Sequence, residues 1–207
     1  MASKQIEFEP AGKIFLGELA LDGTLRKIKG ALALAMAAKE AGFKEIILPE
    51  DNAPEASLVS GIEIIGAKNL GHVLRHLKGE EIIPSTPKLK IENDSAYPHD
   101  FGEIKGQEIA KRGLALAAAG GHHVLMVGPP GTGKTMLAKS LPSILPAMNF
   151  DEILEVTKIH SVSGNLRKPY LAQRPFRNPH HTASYVALVG GGQTPHPGEI
   201  TLAHRGV

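Results

Sequence analysis

A glycine-rich motif of eight residues lies between an apolar run and a run of helix formers, and it narrows the possible folds of this chain. It matches the P-loop pattern, in which two glycines with four residues between them precede a lysine and a serine or threonine. The apolar run at residues 123–127 predicts a short strand buried on both faces, and residues 134–141 predict a helix. The motif consists of Gly128, Pro129, Pro130, Gly131, Thr132, Gly133, Lys134 and Thr135.

The backbone of the motif predicts its chemistry. Gly131 and Gly133 can adopt conformations that a side chain would forbid, so their amides can turn inward around phosphate oxygens. The start of the next helix adds free N–H groups and the positive end of a dipole. Lys134 is the candidate catalytic residue because its ammonium would reach the β- and γ-phosphates, and the Thr135 hydroxyl would ligate Mg²⁺. We therefore expect a site for ATP with Mg²⁺ rather than a simple turn before a helix.

The composition limits the class of protein to which the chain can belong, but it does not indicate a function. The length of 207 residues suits one large domain or two small ones, and 42% hydrophobic with 21% charged residues is ordinary for a globular protein. A net charge of +2 neither demands nor excludes nucleic acid. The absence of cysteine excludes disulfides and thiolate metal sites and favours a cytoplasmic location. No apolar run reaches membrane-spanning length, so no membrane partner is expected.

Periodicity predicts a mixed α/β fold in which the motif follows a smaller α/β layer. Strands at residues 14–21, 46–49 and 62–65 alternate with helices at 31–41, 55–59 and 70–77, an order that implies some parallel pairing. Prolines among polar residues from 78 to 101 indicate a linker. Beyond it we expect helices at 108–119 and 150–160, the second with a capping box of Asn149 and Glu152, then loops, a hairpin and a short helix at 182–188.

Several sequence blocks together resemble the magnesium-chelatase-like AAA+ ATPases of bacteria, of the competence-associated YifB/ComM type. The resemblance is strong over residues 100–207 and far more specific than the P-loop alone. It implies that Ile104 and Gly106 lie near the adenine, where the alternative is an ordinary turn at a domain entry. The blocks are 104–107 (IKGQ), 128–135, 174–181 (RPFRNPHH), 189–192 (VGGG) and 197–207 (PGEITLAHRGV).

The N-terminal half is similar to the second half of the proteolytic domain of Lon proteases, a ribosomal S5 domain 2-like α/β fold. Aligned by eye, the catalytic lysine of that domain falls on Leu34, which offers no amine, and the serine would lie upstream of Met1. Nucleophilic catalysis needs both groups, so no peptidase activity is expected. The resemblance divides the chain into residues 1–80, a partial Lon-like domain without catalytic residues, a linker at 81–100, and residues 101–207, the first part of an AAA+ module.

The resemblance also implies that this chain is a fragment cut before the Walker B carboxylates, the sensors and the arginine finger. The acidic residues after Thr135 do not end an apolar strand; they are Asp151, Glu152, Glu155 and Glu199. We therefore expect the fragment to bind Mg·ATP weakly, to hydrolyse it scarcely and to be poorly soluble.

For the intact protein the resemblance implies an ATP-hydrolysing motor that forms a homo-oligomeric, plausibly hexameric ring and acts on DNA. One alternative is a chelatase-type ATPase that inserts Mg²⁺ into a porphyrin with partner subunits. Another is a nucleotide-binding scaffold without turnover. Binding to branched DNA, dependence on a porphyrin-binding partner, or binding without phosphate release would distinguish the three.

Two further groups of residues have alternative interpretations. His72 and His76, four residues apart on a predicted helix, could share a metal, but no third ligand or H-E-x-x-H pattern accompanies them, which favours ordinary solvated histidines. A basic segment with interleaved aromatic residues could contact DNA phosphates and stack bases, or could be a solvated loop. That segment contains Arg167, Lys168, Arg174 and Arg177 with Tyr170 and Phe176.

Overall fold

The computed structural model describes residues 8–92, 97–193 and 195–207, which form two compact units. Parts of the expected N-terminal domain, linker and hairpin fall on residues 1–7, 93–96 and 194, outside the described residues. The first unit runs to Lys90 and also includes Thr157–Tyr170, whereas the second comprises Ile91–Val156 and Leu171–Val207. Among the described residues no helix is both long and apolar enough to cross a membrane.

The first unit is an α/β layer with a parallel sheet, as the strand–helix alternation predicted. The sheet has the order β1-β4-β5, and Ile14, Ile46 and Ile64 stand side by side across it. The strands β2 and β3 form a separate antiparallel ribbon. The elements of this unit are β1 (Lys13–Phe15), β2 (Glu18–Leu19), β3 (Leu25–Arg26), α1 (Ala31–Glu40), β4 (Glu45–Pro49), α2 (Ala53–Ala56), β5 (Glu63–Ala67) and α3 (Leu70–Leu77).

The central strand β4 has the burial that its continuous apolar run predicts. Ile46, Ile47 and Leu48 are at most 2% exposed, because parallel neighbours cover both edges and side chains cover both faces. Ile47 packs with Ile65, and with residues of α3 and the segment after it, in one apolar cluster. The predicted helices at 31–41 and 70–77 correspond to α1 and α3, and Asn69 caps α3 by accepting from the His72 amide at 2.8 Å.

Two boundaries in this unit differ from the predictions. The expected single strand at 14–21 is divided at Gly17, because β1 pairs with β4 whereas β2 pairs with β3. The expected helix at 55–59 begins earlier, as α2, because Pro54 occupies the first turn, where a proline favours helix initiation.

Over the described residues, the second unit contains four whole α-helices, the first part of a fifth and a short antiparallel hairpin. The fifth is α6, whose residues from Thr157 onward belong to the first unit. The capping box of α6 is confirmed: the Asn149 side chain accepts from the Glu152 amide at 2.9 Å, and the Glu152 carboxylate accepts from the Asn149 amide at 3.0 Å. The hairpin and a short helix before it, both expected, are present. The elements are α4 (Glu108–Gly120), α5 (Lys134–Ser140), α6 (Phe150–Ser163), α7 (Tyr185–Val189), β6 (Gly190–Gly191), β7 (His196–Pro197) and α8 (Glu199–Leu202).

The prediction of a buried strand at residues 123–127 is wrong for this structure. The side chains of Leu125 and Val127 are each 88% exposed, and Val124 is 43% exposed. The backbone of residues 123–127 makes no hydrogen bond with any other residue that the structure describes. The run has the composition of a strand, but a strand forms only where a neighbouring strand satisfies its backbone groups.

A buried carboxylate connects distant parts of the first unit. Glu55 is 3% exposed, and its Oε1 accepts from the Leu32 amide at 2.8 Å and from the Ser161 hydroxyl. The Ser161 carbonyl in turn accepts from the Gly30 amide at 3.2 Å. These contacts hold the last turn of α6 against the start of α1, which explains why the segment Thr157–Tyr170 belongs to the first unit.

Candidate nucleotide-binding site

The P-loop follows the extended run at 123–127 and leads directly into α5, which begins at Lys134. Gly131 and Gly133 have φ values of 81° and 82°, the left-handed conformation in which glycine is not strained. A Cβ at Gly131 would meet no atom within 4 Å, so this glycine is required by its backbone conformation rather than by crowding. The two glycines therefore take the conformations that the motif predicted.

The amides of the loop form a row of free donors. None of the backbone N–H groups of residues 131–136 donates a hydrogen bond to another residue of the described chain. Six consecutive donors without protein acceptors exceed the four that any helix start leaves open. Such a row of amides in a turned loop suits an anion.

Lys134 extends back over the loop that precedes it. Its Nζ donates to the carbonyl oxygens of Gly128 and Pro129 at 2.8 and 2.7 Å and lies 3.3 Å from Oγ1 of Thr132. That hydroxyl donates to the Pro129 carbonyl at 3.0 Å. The cation is thus held beside the free amides by contacts within the motif itself.

Thr135 is exposed, and its hydroxyl makes no hydrogen bond with any described residue. Over the same residues no cluster of three or more histidine, cysteine or acidic side chains could hold a metal ion. An Mg²⁺ at the loop would therefore take one oxygen from Thr135 and others from phosphates and water, a set that suits this small, hard cation.

The two residues expected near the adenine differ in their surroundings. Ile104 is 4% exposed and packs with Leu114 of α4 and Leu137 of α5. Gly106 is exposed, has a φ of 64°, and would have open space around a Cβ. The Ile104 side chain is thus a core residue beside the P-loop helix, while Gly106 lies at the surface before α4.

Gln107 contacts the loop, although the sequence analysis assigned it no role. Its Nε2 donates to the Thr132 carbonyl oxygen at 3.2 Å, across 25 residues of sequence. It has a φ of 59°, and apart from Arg205 it is the one residue other than glycine with a positive φ among those described. Its position directly after the IKG block was visible in the sequence, but the contact depends on how α4 lies beside the loop.

Two of the four basic residues of this segment, Arg174 and Arg177, have partners within the second unit, which neither interpretation of the sequence foresaw. Arg177 forms a two-fold contact with Glu199, at 2.5 and 2.6 Å, which raises the pKa of Arg177 and lowers the pKa of Glu199. Arg174 donates to the carbonyls of Pro146 and Arg205 at 2.5 and 2.6 Å and lies 3.5 Å from Glu152. These arginines hold loops together, so their charges are already compensated.

Three of the four acidic residues after the P-loop also have basic partners. Glu152 lies 3.5 Å from both Arg174 and Arg205. Hydrogen bonds from Arg205, and then from His204, lower the pKa of Glu155. With Glu199 held by Arg177, only Asp151 lacks a basic partner among the described residues.

The two helical histidines do not share a site. His72 Nε2 lies 3.7 Å from Glu81, whereas His76 Nε2 lies 3.8 Å from Glu45. His76 Nδ1 also accepts from the Ile83 amide at 3.0 Å, which occupies the nitrogen lone pair that a metal would need there.

Comparison with known proteins shows the family. The family described as "Magnesium chelatase, subunit ChlI" matches residues 100–207, and that described as "Subunit ChlI of Mg-chelatase" matches residues 1–52. The uncharacterized protein YifB of Escherichia coli K12 is 44% identical over 207 residues, which is 100% of this chain and 40% of that relative. The competence protein ComM of Haemophilus influenzae is 44% identical over 198 residues, 93% of this chain and 39% of that relative.

A shorter match is to a Lon protease. The archaeal Lon protease of Archaeoglobus fulgidus is 40% identical over 62 residues, 30% of this chain and 10% of that protein. The chain spans about two-fifths of the length of its YifB and ComM relatives. The sequence blocks, the P-loop and these matches agree, and this chain belongs to the magnesium-chelatase-like AAA+ family that includes YifB and ComM.

Proposed function

We propose that residues 128–135 bind ATP with Mg²⁺, and that the intact protein hydrolyses it. The observation that carries the proposal is the row of amides at residues 131–136 that find no acceptor among the described residues, beside the Lys134 ammonium. A triphosphate would satisfy these donors, and Lys134 would stabilise the charge that develops on the γ-phosphate. Thr135 would supply the metal oxygen. Ile104 and Gly106 are proposed to border the adenine.

We further propose that the second unit is the first part of a P-loop AAA+ module and that residues 1–80 are a partial Lon-like domain. The family and the short Lon match support this assignment. No peptidase role is proposed, because Leu34 carries no amine.

The whole protein is proposed to form a cytoplasmic homo-oligomeric ring, of hexameric type, that acts on DNA. The relative named as a competence protein supports DNA as the substrate. The name of the family supports the alternative of a chelatase subunit acting with porphyrin-binding partners. Binding of branched DNA that weakens with salt would favour the first, and dependence on a porphyrin-binding partner would favour the second.

The test of nucleotide binding is titration with a fluorescent ATP analogue and Mg²⁺. Lys134→Ala removes the cation at the loop, and since hydrogen bonds to charged groups contribute about 1.5–3 kcal/mol, affinity should fall roughly ten- to a hundredfold. Lys139→Ala is the matched control, because Lys139 lies on the same helix and donates no hydrogen bond to the loop among described residues. Equal affinities of Lys134→Ala and wild type would contradict the proposal.

Hydrolysis is tested separately by phosphate release from this chain and from the full-length protein. We expect the full-length protein to be much faster, because an arginine finger alone can be worth roughly a thousandfold or more. Binding without phosphate release by the full-length protein would favour a scaffold role. Equal rates would require a catalytic carboxylate within this chain, and Asp151, which lacks a basic partner among the described residues, would be examined first.

A further inference from the structure

Gln107 has a backbone conformation that its residue type rarely adopts. Its φ of 59° follows the 64° of Gly106, so the chain makes two successive left-handed steps before α4 begins. Glycine adopts this conformation freely, whereas a residue with a Cβ is strained in it. A glutamine at this position indicates that its side chain has a use that offsets the strain.

The side chain reaches the centre of the P-loop. Nε2 donates to the carbonyl oxygen of Thr132 at 3.2 Å, and Thr132 lies between the two left-handed glycines. The Thr132 hydroxyl already donates to the Pro129 carbonyl, so both polar ends of this residue are held. The contact thus fixes the residue between the two glycines that have left-handed conformations.

Fixing this carbonyl also orients the next amide. The C=O of Thr132 and the N–H of Gly133 belong to one planar trans peptide, in which they point in opposite directions. A carbonyl held toward Gln107 therefore directs the Gly133 N–H to the opposite side of the peptide. That N–H is one of the donors that find no acceptor among the described residues.

We infer that Gln107 is a positioning residue that holds the Thr132–Gly133 peptide so that the Gly133 N–H is presented to a phosphate oxygen. The inference rests on the proposed nucleotide binding. It assigns to Gln107 a role in phosphate recognition through the loop, distinct from any contact with the base. An oriented donor in the free protein lowers the cost of ordering the loop on binding.

Two substitutions separate the side chain from the backbone strain. Gln107→Gly removes the donor and relieves the left-handed conformation, whereas Gln107→Glu keeps the length but sets an acceptor against the Thr132 carbonyl. Ile109→Glu, at a side chain that is 91% exposed in the first turn of α4, adds the same charge and controls for electrostatics. The probes are a fluorescent ATP analogue and inorganic tripolyphosphate as its competitor, both with Mg²⁺.

We expect Gln107→Gly and Gln107→Glu to weaken ATP and tripolyphosphate alike, by about three- to tenfold for one hydrogen bond. The melting temperature of nucleotide-free Gln107→Gly should be equal to or above that of wild type. If Gln107 had only a structural role, weaker binding would instead come with a lower melting temperature. Should either variant fail to fold, the other still carries the test, because the two act in different ways.

Two results would overturn the inference while leaving nucleotide binding intact. One is unchanged affinity for both probes in Gln107→Gly. The other is weaker ATP binding with unchanged tripolyphosphate binding, which would place the role at the base. Failure of wild type to bind either probe would instead remove the proposed function, and the inference with it.

Discussion

The runs at residues 46–48 and 123–127 are both mostly apolar, but the first is buried and the second is largely exposed. In β4, Ile46, Ile47 and Leu48 are at most 2% exposed, whereas Leu125 and Val127 are each 88% exposed. The first run has a parallel strand on each side. The second has no hydrogen-bonded neighbour within the described residues.

The difference shows that an apolar run is not sufficient to form a strand. Most of the free energy that holds a strand comes from side-chain burial and from backbone pairing with its neighbours. The first unit supplies both from its own residues. Over its described residues, the second unit leaves a strand-like run and the P-loop amides without partners. Four experiments test how far this contrast extends.

The largest effect is expected in the sheet of the first unit. Ile47→Ala should lower the free energy of unfolding by about 2–5 kcal/mol, because it empties a packed position beside Ile65 and Val73. Leu125→Ala should change it by less than about 0.5 kcal/mol, because the side chain is exposed. Urea unfolding followed by far-UV circular dichroism measures both. Similar losses would mean that residues 123–127 are buried after all.

The next largest effect is expected at Glu55, whose buried carboxylate accepts a hydrogen bond from Ser161, 106 residues away in the sequence. Glu55→Ala leaves the Leu32 amide and the Ser161 hydroxyl without their acceptor, so a loss of about 1–3 kcal/mol in unfolding free energy is expected. Glu55→Gln keeps an acceptor oxygen and should lose less. If the two variants are equally destabilised, the negative charge rather than the hydrogen-bond pattern is what matters.

A smaller effect is expected at the start of α6, where the second unit uses a contact local in sequence. Asn149→Ala removes the N-cap and should cost about 1 kcal/mol, a typical value for such caps. Asn149→Asp retains the acceptor and should stay within a few tenths of a kcal/mol of wild type. Thermal unfolding of the three proteins gives the comparison, and an Asn149→Ala melting temperature equal to wild type would contradict it.

The smallest effect is a pH dependence from the ion pair of Arg177 and Glu199. Hydrogen bonds from Arg177 lower the pKa of Glu199, so the pair contributes stability above the ordinary carboxyl pKa of about 4.3. That contribution is lost as the pH falls through the lower pKa of the folded state. Both side chains are partly exposed, so the contribution is expected to be about 1 kcal/mol or less.

The measurement compares melting temperatures of wild type and Glu199→Gln between neutral and acidic pH. The difference should be present at neutral pH and should vanish at the acidic end. A difference that grows toward low pH would contradict the assignment of the ion pair as stabilising.

Features that depend on neighbouring residues were determined by the sequence alone. The helices α1 and α3, the capping box of α6 and the left-handed glycines of the P-loop all agree with prediction. Each depends on hydrogen bonds or backbone preferences within a few residues, which a linear pattern contains. The family, too, was recognisable from short blocks.

Only the tertiary structure decided the features that join distant residues. It gave residues 123–127 no backbone partner in the part of the chain that it describes, placed Arg177 on Glu199 and Gln107 on Thr132, and joined Glu55 to Ser161. These contacts span 22 to 106 residues. The sequence determines the charge, size and polarity of each side chain. The partner of that side chain depends on how the intervening chain folds, because a buried polar group forms its hydrogen bonds with the groups that packing brings within reach.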